Sequence, residues 1–330
     1  MKKNLLILLF ALFTQFTFAQ DFWKKLEMPQ EIVSLHAIAS NSQGWTYFAT
    51  NKGVYVTKDS GESIIPTALQ HVVYNLTINE RDELFAFYDD KMFYSADLGN
   101  NWTERELPIR GTAYCCISNG NTVIYGSDEE IYKSDNLGLQ WTTVWETETG
   151  AFYVKALFKK SDNVLLAGMF RLTFGSKVKK SRWDDTLPGI HRSNNSGNTW
   201  YPWALQGISI VSIAENSKGY LFATCNDGYY NRGLYVSTDN GNTWNKCLSG
   251  THVQSVVAAP NDVIYATSSY QEEEFGPIFA IVNRSFDNGV TWQRIFLTDV
   301  LLKDIAMSSH FDSIPVLKIL KNSATLNHFE

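Results

Sequence analysis

The sequence predicts an all-β fold, a single β-propeller of four-stranded antiparallel blades, and three observations carry that prediction. An eight-residue motif recurs six times along 330 residues. Each copy sits in the same succession of short alternating and apolar runs. The composition is aromatic and acidic, with 20 Phe, 16 Tyr and 10 Trp against 8 Pro, and a net charge of −6. That balance excludes a disordered chain, and it excludes a protein that tracks nucleic acid by charge.

The motif reads TKDSGESI from Thr57, SADLGNNW from Ser95, SDNLGLQW from Ser134, SNNSGNTW from Ser193, STDNGNTW from Ser237 and SFDNGVTW from Ser285. Successive copies start 38, 39, 59, 44 and 48 residues apart. The third position is Asp59, Asp97, Asn136, Asn195, Asp239 or Asp287, and the fifth is Gly61, Gly99, Gly138, Gly197, Gly241 or Gly289. Trp102, Trp141, Trp200, Trp244 and Trp292 close five copies, and Ile64 closes the first. A hydroxyl two residues before Asp or Asn offers acceptors to turn amides, and glycine supplies positive φ. The tryptophan lays a large apolar ring under the turn. The motif therefore predicts a hairpin corner whose residues are scaffold.

Around each corner the elements fall in a fixed order. An alternating run such as Val72–Ile78 comes first, then an apolar run such as LFAFY, then a strand entering the motif, then a polar aromatic strand such as WTERELP. Four antiparallel strands every forty-odd residues make one propeller blade. Six corners set six blades as the minimum. Residues 301–308 and Pro315–Leu320 read as the first two strands of a further unit, while FWKKLEM near the N-terminus reads as a fourth strand. The expectation is a seven-bladed ring closed by the N-terminal strand pairing with the C-terminal blade, with six blades as the alternative.

The octapeptide resembles the Asp-box, or bacterial neuraminidase repeat, S-x-D-x-G-x-T-W. The resemblance covers residues 21–300, and the family includes sialidases, sortilin-type receptors, xyloglucanases and a photosystem II assembly factor. It implies the propeller fold and leaves the activity open, because one fold hosts many functions. Sialidase chemistry, as the resemblance implies it, needs three arginines, a Tyr–Glu pair and an Asp acid. The arginine signature is missing near the N-terminus, and Arg110 in LPIRG stands out of order.

Residues 1–19, MKKNLLILLFALFTQFTFA, read as a cleaved signal peptide: Lys2 and Lys3 precede an apolar run too short to cross a bilayer, and cleavage is expected between Ala19 and Gln20. Residues 20–330 are then one exported domain, secreted or periplasmic, with no membrane span. Cys115 and Cys116 are adjacent and point to opposite strand faces, and Cys225 and Cys247 fall on strands one apart, so no disulfide framework is expected. No metal or cofactor spacing occurs.

Loops between second and third strands lie on the rim opposite the corners. Measured from the small residue of strand two to the first motif position, they span 8, 9 and 8 residues in blades one to three and 26, 14 and 19 in blades four to six. Their contents give the candidate ligand-binding residues: Trp183, Asp184 and Asp185, then Tyr229, Tyr230 and Arg232, then Tyr270 and Glu272. Loops on a rigid scaffold are where binding residues reside. The reading is a non-enzymatic binding or scaffolding propeller that presents this sector to a glycan or protein partner; the alternative is an exo-sialidase-like glycoside hydrolase on the same rim.

Overall fold

The computed structural model describes residues 26–108, 113–128, 130–147, 152–171, 188–225, 231–249, 252–271, 278–298, 302–306 and 316–319. They form an all-β ring of six four-stranded antiparallel blades. Blade one is β1 (Leu35–Ser40), β2 (Thr46–Thr50), β3 (Gly53–Thr57) and β4 (Ile65–Pro66); blade two is β5 (Asn75–Ile78), β6 (Leu84–Tyr88), β7 (Lys91–Ser95) and β8 (Thr103–Glu106). Blade three is β9 (Cys115–Asn119), β10 (Thr122–Gly126), β11 (Glu130–Ser134) and β12 (Thr142–Glu146); blade four is β13 (Phe152–Lys159), β14 (Leu165–Arg171), β15 (Gly189–Ser193) and β16 (Tyr201–Ala204). Blade five is β17 (Ile210–Glu215), β18 (Leu221–Cys225), β19 (Gly233–Ser237) and β20 (Asn245–Leu248); blade six is β21 (His252–Ala258), β22 (Ile264–Gln271), β23 (Ile278–Ser285) and β24 (Gln293–Thr298).

The second strand of each blade is the apolar run of the sequence, because it is covered on both faces by neighbouring blades. In β2 and β18 every residue is buried. The core is accordingly a series of layers between blades: Tyr47, Val54 and Val56 of blade one meet Leu76, Leu84 and Phe93 of blade two, and Leu166 and Ile190 of blade four meet Ile210, Leu221 and Ala223 of blade five. Such a core is assembled by stacking like units, as in other repeat folds.

A hairpin of β25 (Leu302–Ala306) and β26 (Val316–Ile319) lies between blade six and blade one. Its ladder skips one residue between Leu302 and Asp304, the same irregularity seen in the first hairpins of blades one, four, five and six. It is built as the opening hairpin of a seventh unit. The closing N-terminal strand expected over FWKKLEM lies partly outside the described residues. Leu26–Met28 join no ladder; instead Leu26 and Met28 pack on Phe48 and Tyr55 of blade one. Leu26 fills the space beside Gly61 as Thr67 does at Gly99, Trp203 at Gly241 and Cys247 at Gly289. Each of those three residues stands three places after the last residue of the preceding corner, and Leu26 stands three after Trp23.

The corners are alike in atomic detail. The first hydroxyl donates to the third-position side chain and accepts from the glycine amide: Ser237 Oγ lies 2.8 Å from Asp239 Oδ1, and Gly241 N lies 2.8 Å from Ser237 Oγ. The third-position oxygen then accepts the seventh-position amide, 2.8 Å from Thr243 N. Indole N–H groups donate to the glycine carbonyl at 3.1 Å from Trp102, Trp200, Trp244 and Trp292. Trp141 departs: its Nε1 is buried without a partner among the described residues. The hydroxyl and amide of the seventh position pull Asp59, Asp239 and Asp287 down to about 2. Since Asn136 and Asn195 accept the same seventh-position amide at 2.9 and 3.0 Å, Asp239→Asn is expected to keep the thermal midpoint near wild type, whereas Asp239→Ala lowers it. Paired thermal melts at neutral pH check this, and equal losses in the two variants would contradict it.

Candidate functional site at the channel mouth

The first strand of each blade lines the central channel and runs from the loop rim toward the corner rim. Its register can be compared between blades through the second strand, whose first paired residue faces the first motif residue: Thr46 with Thr57, Leu84 with Ser95, Val123 with Ser134, Leu165 with Ser193, Leu221 with Ser237 and Ile264 with Ser285. Three residues further on, the partners in the first strand are Ala37, Asn75, Cys115, Ala156, Ser212 and Ser255. The residue immediately before each is His36, Tyr74, Tyr114, Lys155, Val211 and Gln254. In blades one, four, five and six that residue is the one the ladder skips, and Lys303 holds the same place in β25. In those five units one residue is thus set out of the pleat near the loop-rim mouth of the channel, which is the use proteins make of β-bulges, and in blades two and three the same place falls just before the first paired residue.

These positions interact across blade boundaries. The His36 ring meets Tyr74 edge-on at 5.2 Å, and its Nε2 lies 2.9 Å from Ser34 Oγ. Tyr74, 41% exposed, leans on Tyr88 at 5.5 Å. Tyr114 packs against Tyr153 at 4.8 Å, and Lys155 Nζ stands 3.6 Å above the Tyr114 ring and 5.1 Å from that of Tyr153. Burial pushes the Lys155 ammonium below its usual range, and the two ring faces supply its compensation. Burial and the hydrogen bond to Asp128 push the Tyr114 phenol well above its usual range.

Two arginines continue the mouth into blades four and five. The Arg171 amide donates to Ser209 Oγ at 3.0 Å, and its guanidinium lies 5.6 Å from the Phe152 ring. Arg232 Nη1 donates to His252 Nε2 at 2.6 Å; burial and that guanidinium hold His252 below its ordinary value, so the ring is a neutral acceptor. The Nε atoms of both arginines are buried without a partner among the described residues. Among the described residues, Lys155, Arg171 and Arg232 form no ion pair. An arc of three cations therefore adjoins an arc of tyrosines.

Of the candidates read from sequence, Arg232 falls in this arc, immediately before β19. Tyr270 lies in β22, paired with Phe279, so it belongs to an extended hairpin and not to a loop. The correction has a simple cause: the run from Ala266 to Gln271 keeps pairing with Ile278–Asn283, and that length had been counted as loop. Trp183, Asp184, Asp185, Tyr229, Tyr230 and Glu272 lie outside the described residues, as does Arg110. His36, Tyr74, Tyr114 and Lys155 were not singled out by sequence. What places them together is the ladder register, counted from the first motif residue through the second strand. All four cysteines are free thiols; Cys115 Sγ faces Val154 O and Cys116 Sγ faces Asn75 Oδ1, toward opposite neighbouring blades. No group of His, Cys, Asp and Glu among the described residues gathers as metal ligands, and no described helix is long and apolar enough to cross a membrane.

No known protein-family profile matches the chain. Among solved structures, the GH74 xyloglucanase from Xanthomonas campestris superposes with a TM-score of 0.65 at 13% identity, over 90% of this chain and 52% of that one. A structure of YCF48 bound to D1 peptide gives 0.65 at 14% identity, over 91% of this chain and 95% of that one. By sequence, the vacuolar protein sorting/targeting protein 10 of Sordaria macrospora is 24% identical over 245 residues, which is 66% of this chain and 16% of that protein. The chain thus spans a small part of that relative. The chain is a β-propeller. Its resemblances run to a sorting protein, a hydrolase and a peptide-bound propeller at once, so the chemistry must be argued from the mouth.

Proposed function

We propose that the chain is an exported, non-enzymatic binding propeller of the Asp-box type, which holds a protein or glycan partner at the loop-rim mouth. The observation that carries this is the arc of Lys155, Arg171 and Arg232, cations that form no ion pair among the described residues, with Lys155 over the faces of Tyr114 and Tyr153. Such an arc favours an anionic segment that also offers an apolar or sugar face. The YCF48 structure, with a peptide bound to a propeller, is a precedent for the mode.

A second reading, glycoside hydrolysis, is favoured by one contact. Tyr114 and Asp128 form a phenol–carboxylate pair at the same mouth, the arrangement in which a carboxylate takes the proton from an attacking phenol. The experiment separates the two. Residues 20–330 are screened on a glycan array and by crosslinking to envelope proteins, alongside a panel of fluorogenic glycosides. Binding that falls at least about tenfold in Lys155→Ala and in Arg171→Ala, with no turnover, supports the binding reading. Turnover abolished by Tyr114→Phe with retained affinity overturns it in favour of the hydrolase. Binding unmoved by the mouth variants removes the mouth from the account.

A further inference from the structure

The corner rim holds a feature that its repeat geometry makes anomalous. In blades one, two, four, five and six the first hairpin closes through five residues between its last paired positions: Ser40 to Thr46, Ile78 to Leu84, Lys159 to Leu165, Glu215 to Leu221 and Ala258 to Ile264. In blades two, four and five the first residue of that turn reaches into the next blade. Lys160 Nζ donates to Asn240 Oδ1 at 2.7 Å, Asn216 Nδ2 to Asn288 Oδ1 at 2.8 Å, and Asn79 Nδ2 to Gly120 O at 2.9 Å. Asn240 and Asn288 are the fourth residues of their corners. In blade three the ladder runs on to Asn119 and Thr122, which leaves only Gly120 and Asn121 as the turn. The reaching side chain is deleted there. Opposite it, at the fourth place of the next corner, stands Ser196 in a left-handed conformation with φ 58°.

Where that plug is missing, a cleft of about 360 Å³ opens between blades three and four. Its floor is Ile117, Ile124 and Leu165, and its polar wall includes Asn119, Lys159 and Ser196. The volume is at the small end of the range that ligand sites occupy, and an apolar floor under a few polar groups is their usual make-up.

We propose that this cleft is a second binding site, for a small aliphatic carboxylate. It is distinct from the mouth, since it lies on the opposite rim. Three observations select the class. Lys159 Nζ lies 2.7 Å from the neutral Asn119 Oδ1 and forms no ion pair among the described residues; it stands in the field of Glu80 without touching it, so its ammonium can still take an anion. The two carboxylates at its border are committed: Glu80 Oε2 accepts the Gly120 amide at 2.9 Å, and Asp135 holds the Thr122 hydroxyl at 2.8 Å and Lys133 at 2.9 Å. The floor consists of branched aliphatic side chains with no aromatic ring, which suits a branched alkyl group and offers a sugar no stacking face.

The test uses residues 20–330 with N-acetyl-leucine and methyl glucoside as probes, followed by saturation-transfer NMR. The expected result is transfer to the leucine methyl protons, at least about tenfold weaker binding in Lys159→Met and in Ile117→Phe, and no change in Tyr74→Ala, which alters the other rim. Lys159 is on the surface and Ile117→Phe enlarges the floor into the cleft, so the two variants fail for different reasons if either misfolds, and a thermal melt of each reports that. Absence of transfer to N-acetyl-leucine, equal transfer to the glucoside, or binding that survives both folded variants overturns the assignment. Loss of binding in Tyr74→Ala as well places the probe at the mouth, and that also overturns it.

Discussion

Gly241→Ala will destabilise the protein by about 3 kcal/mol, and Gly207→Ala by about 1 kcal/mol, although both glycines have φ near +85°. The shared part is the left-handed backbone, which costs an L-residue about 1–2 kcal/mol. The difference is packing. Around Gly207 nothing lies within 4 Å of where a Cβ would stand, whereas at Gly241 the new atom would overlap the indole of Trp203. Trp203 is the fourth-strand residue that wedges blade four under the corner of blade five, with the Arg192 guanidinium 5.4 Å above its ring. The indole cannot yield without loosening the layer it shares with Leu221 and Ala223. Urea unfolding of the two variants beside wild type measures both losses. Equal losses would show that the corner glycine is a backbone requirement alone and that the inter-blade wedge contributes nothing.

The corner was legible in sequence because its information is local. A hydroxyl, a carboxylate or amide and a glycine within five residues specify their own hydrogen bonds, whatever surrounds them. One part of it was not legible. The fourth position is left-handed in every corner, including Leu98 at φ 62° and Leu137 at φ 61°, residues with no preference for that region. Their conformation is imposed by the bonds on either side, Ser95 Oγ to Asp97 and to Gly99 N in the one case, Ser134 Oγ to Asn136 and to Gly138 N in the other. The mouth was hidden for the opposite reason. His36 and Lys155 sit within short alternating strands and Tyr74 and Tyr114 immediately before theirs, indistinguishable from ordinary exposed residues until the registers of the units are superposed. The candidate loops suffered from the end of a strand being set by pairing, not by composition: Arg171 and Tyr270 both extend β-ladders that the small residue of strand two does not announce.

His191 will dominate the loss of stability in mildly acid solution. It lies in β15, 1% exposed, edge-on to Trp145 of β12 at 5.5 Å, and both ring nitrogens lack a partner among the described residues. Burial pushes its imidazole down to about 4 from an ordinary 6.5. The folded ring therefore stays neutral where an unfolded one takes up a proton. Its contribution is complete above pH 6.5, declines as the unfolded chain protonates, and is gone once pH falls through about 4. The shift corresponds to about 3 kcal/mol over that window. His252, also held low, adds a smaller loss of the same sign, while Asp59, Asp239 and Asp287 lose theirs only as pH falls toward about 2. In His191→Leu the two unpaired nitrogens are replaced by an apolar group of similar size, so stability near neutral pH should equal or exceed wild type. The slope between about pH 6.5 and pH 4 should shrink to the remainder due to His252 and, at its acid end, to Glu80 and Glu83. Urea midpoints across that range, wild type against variant, decide it: an unchanged slope would mean that the ring is hydrated or bonded in the folded protein, and a large loss at neutral pH would mean that its nitrogens are held by residues outside those described.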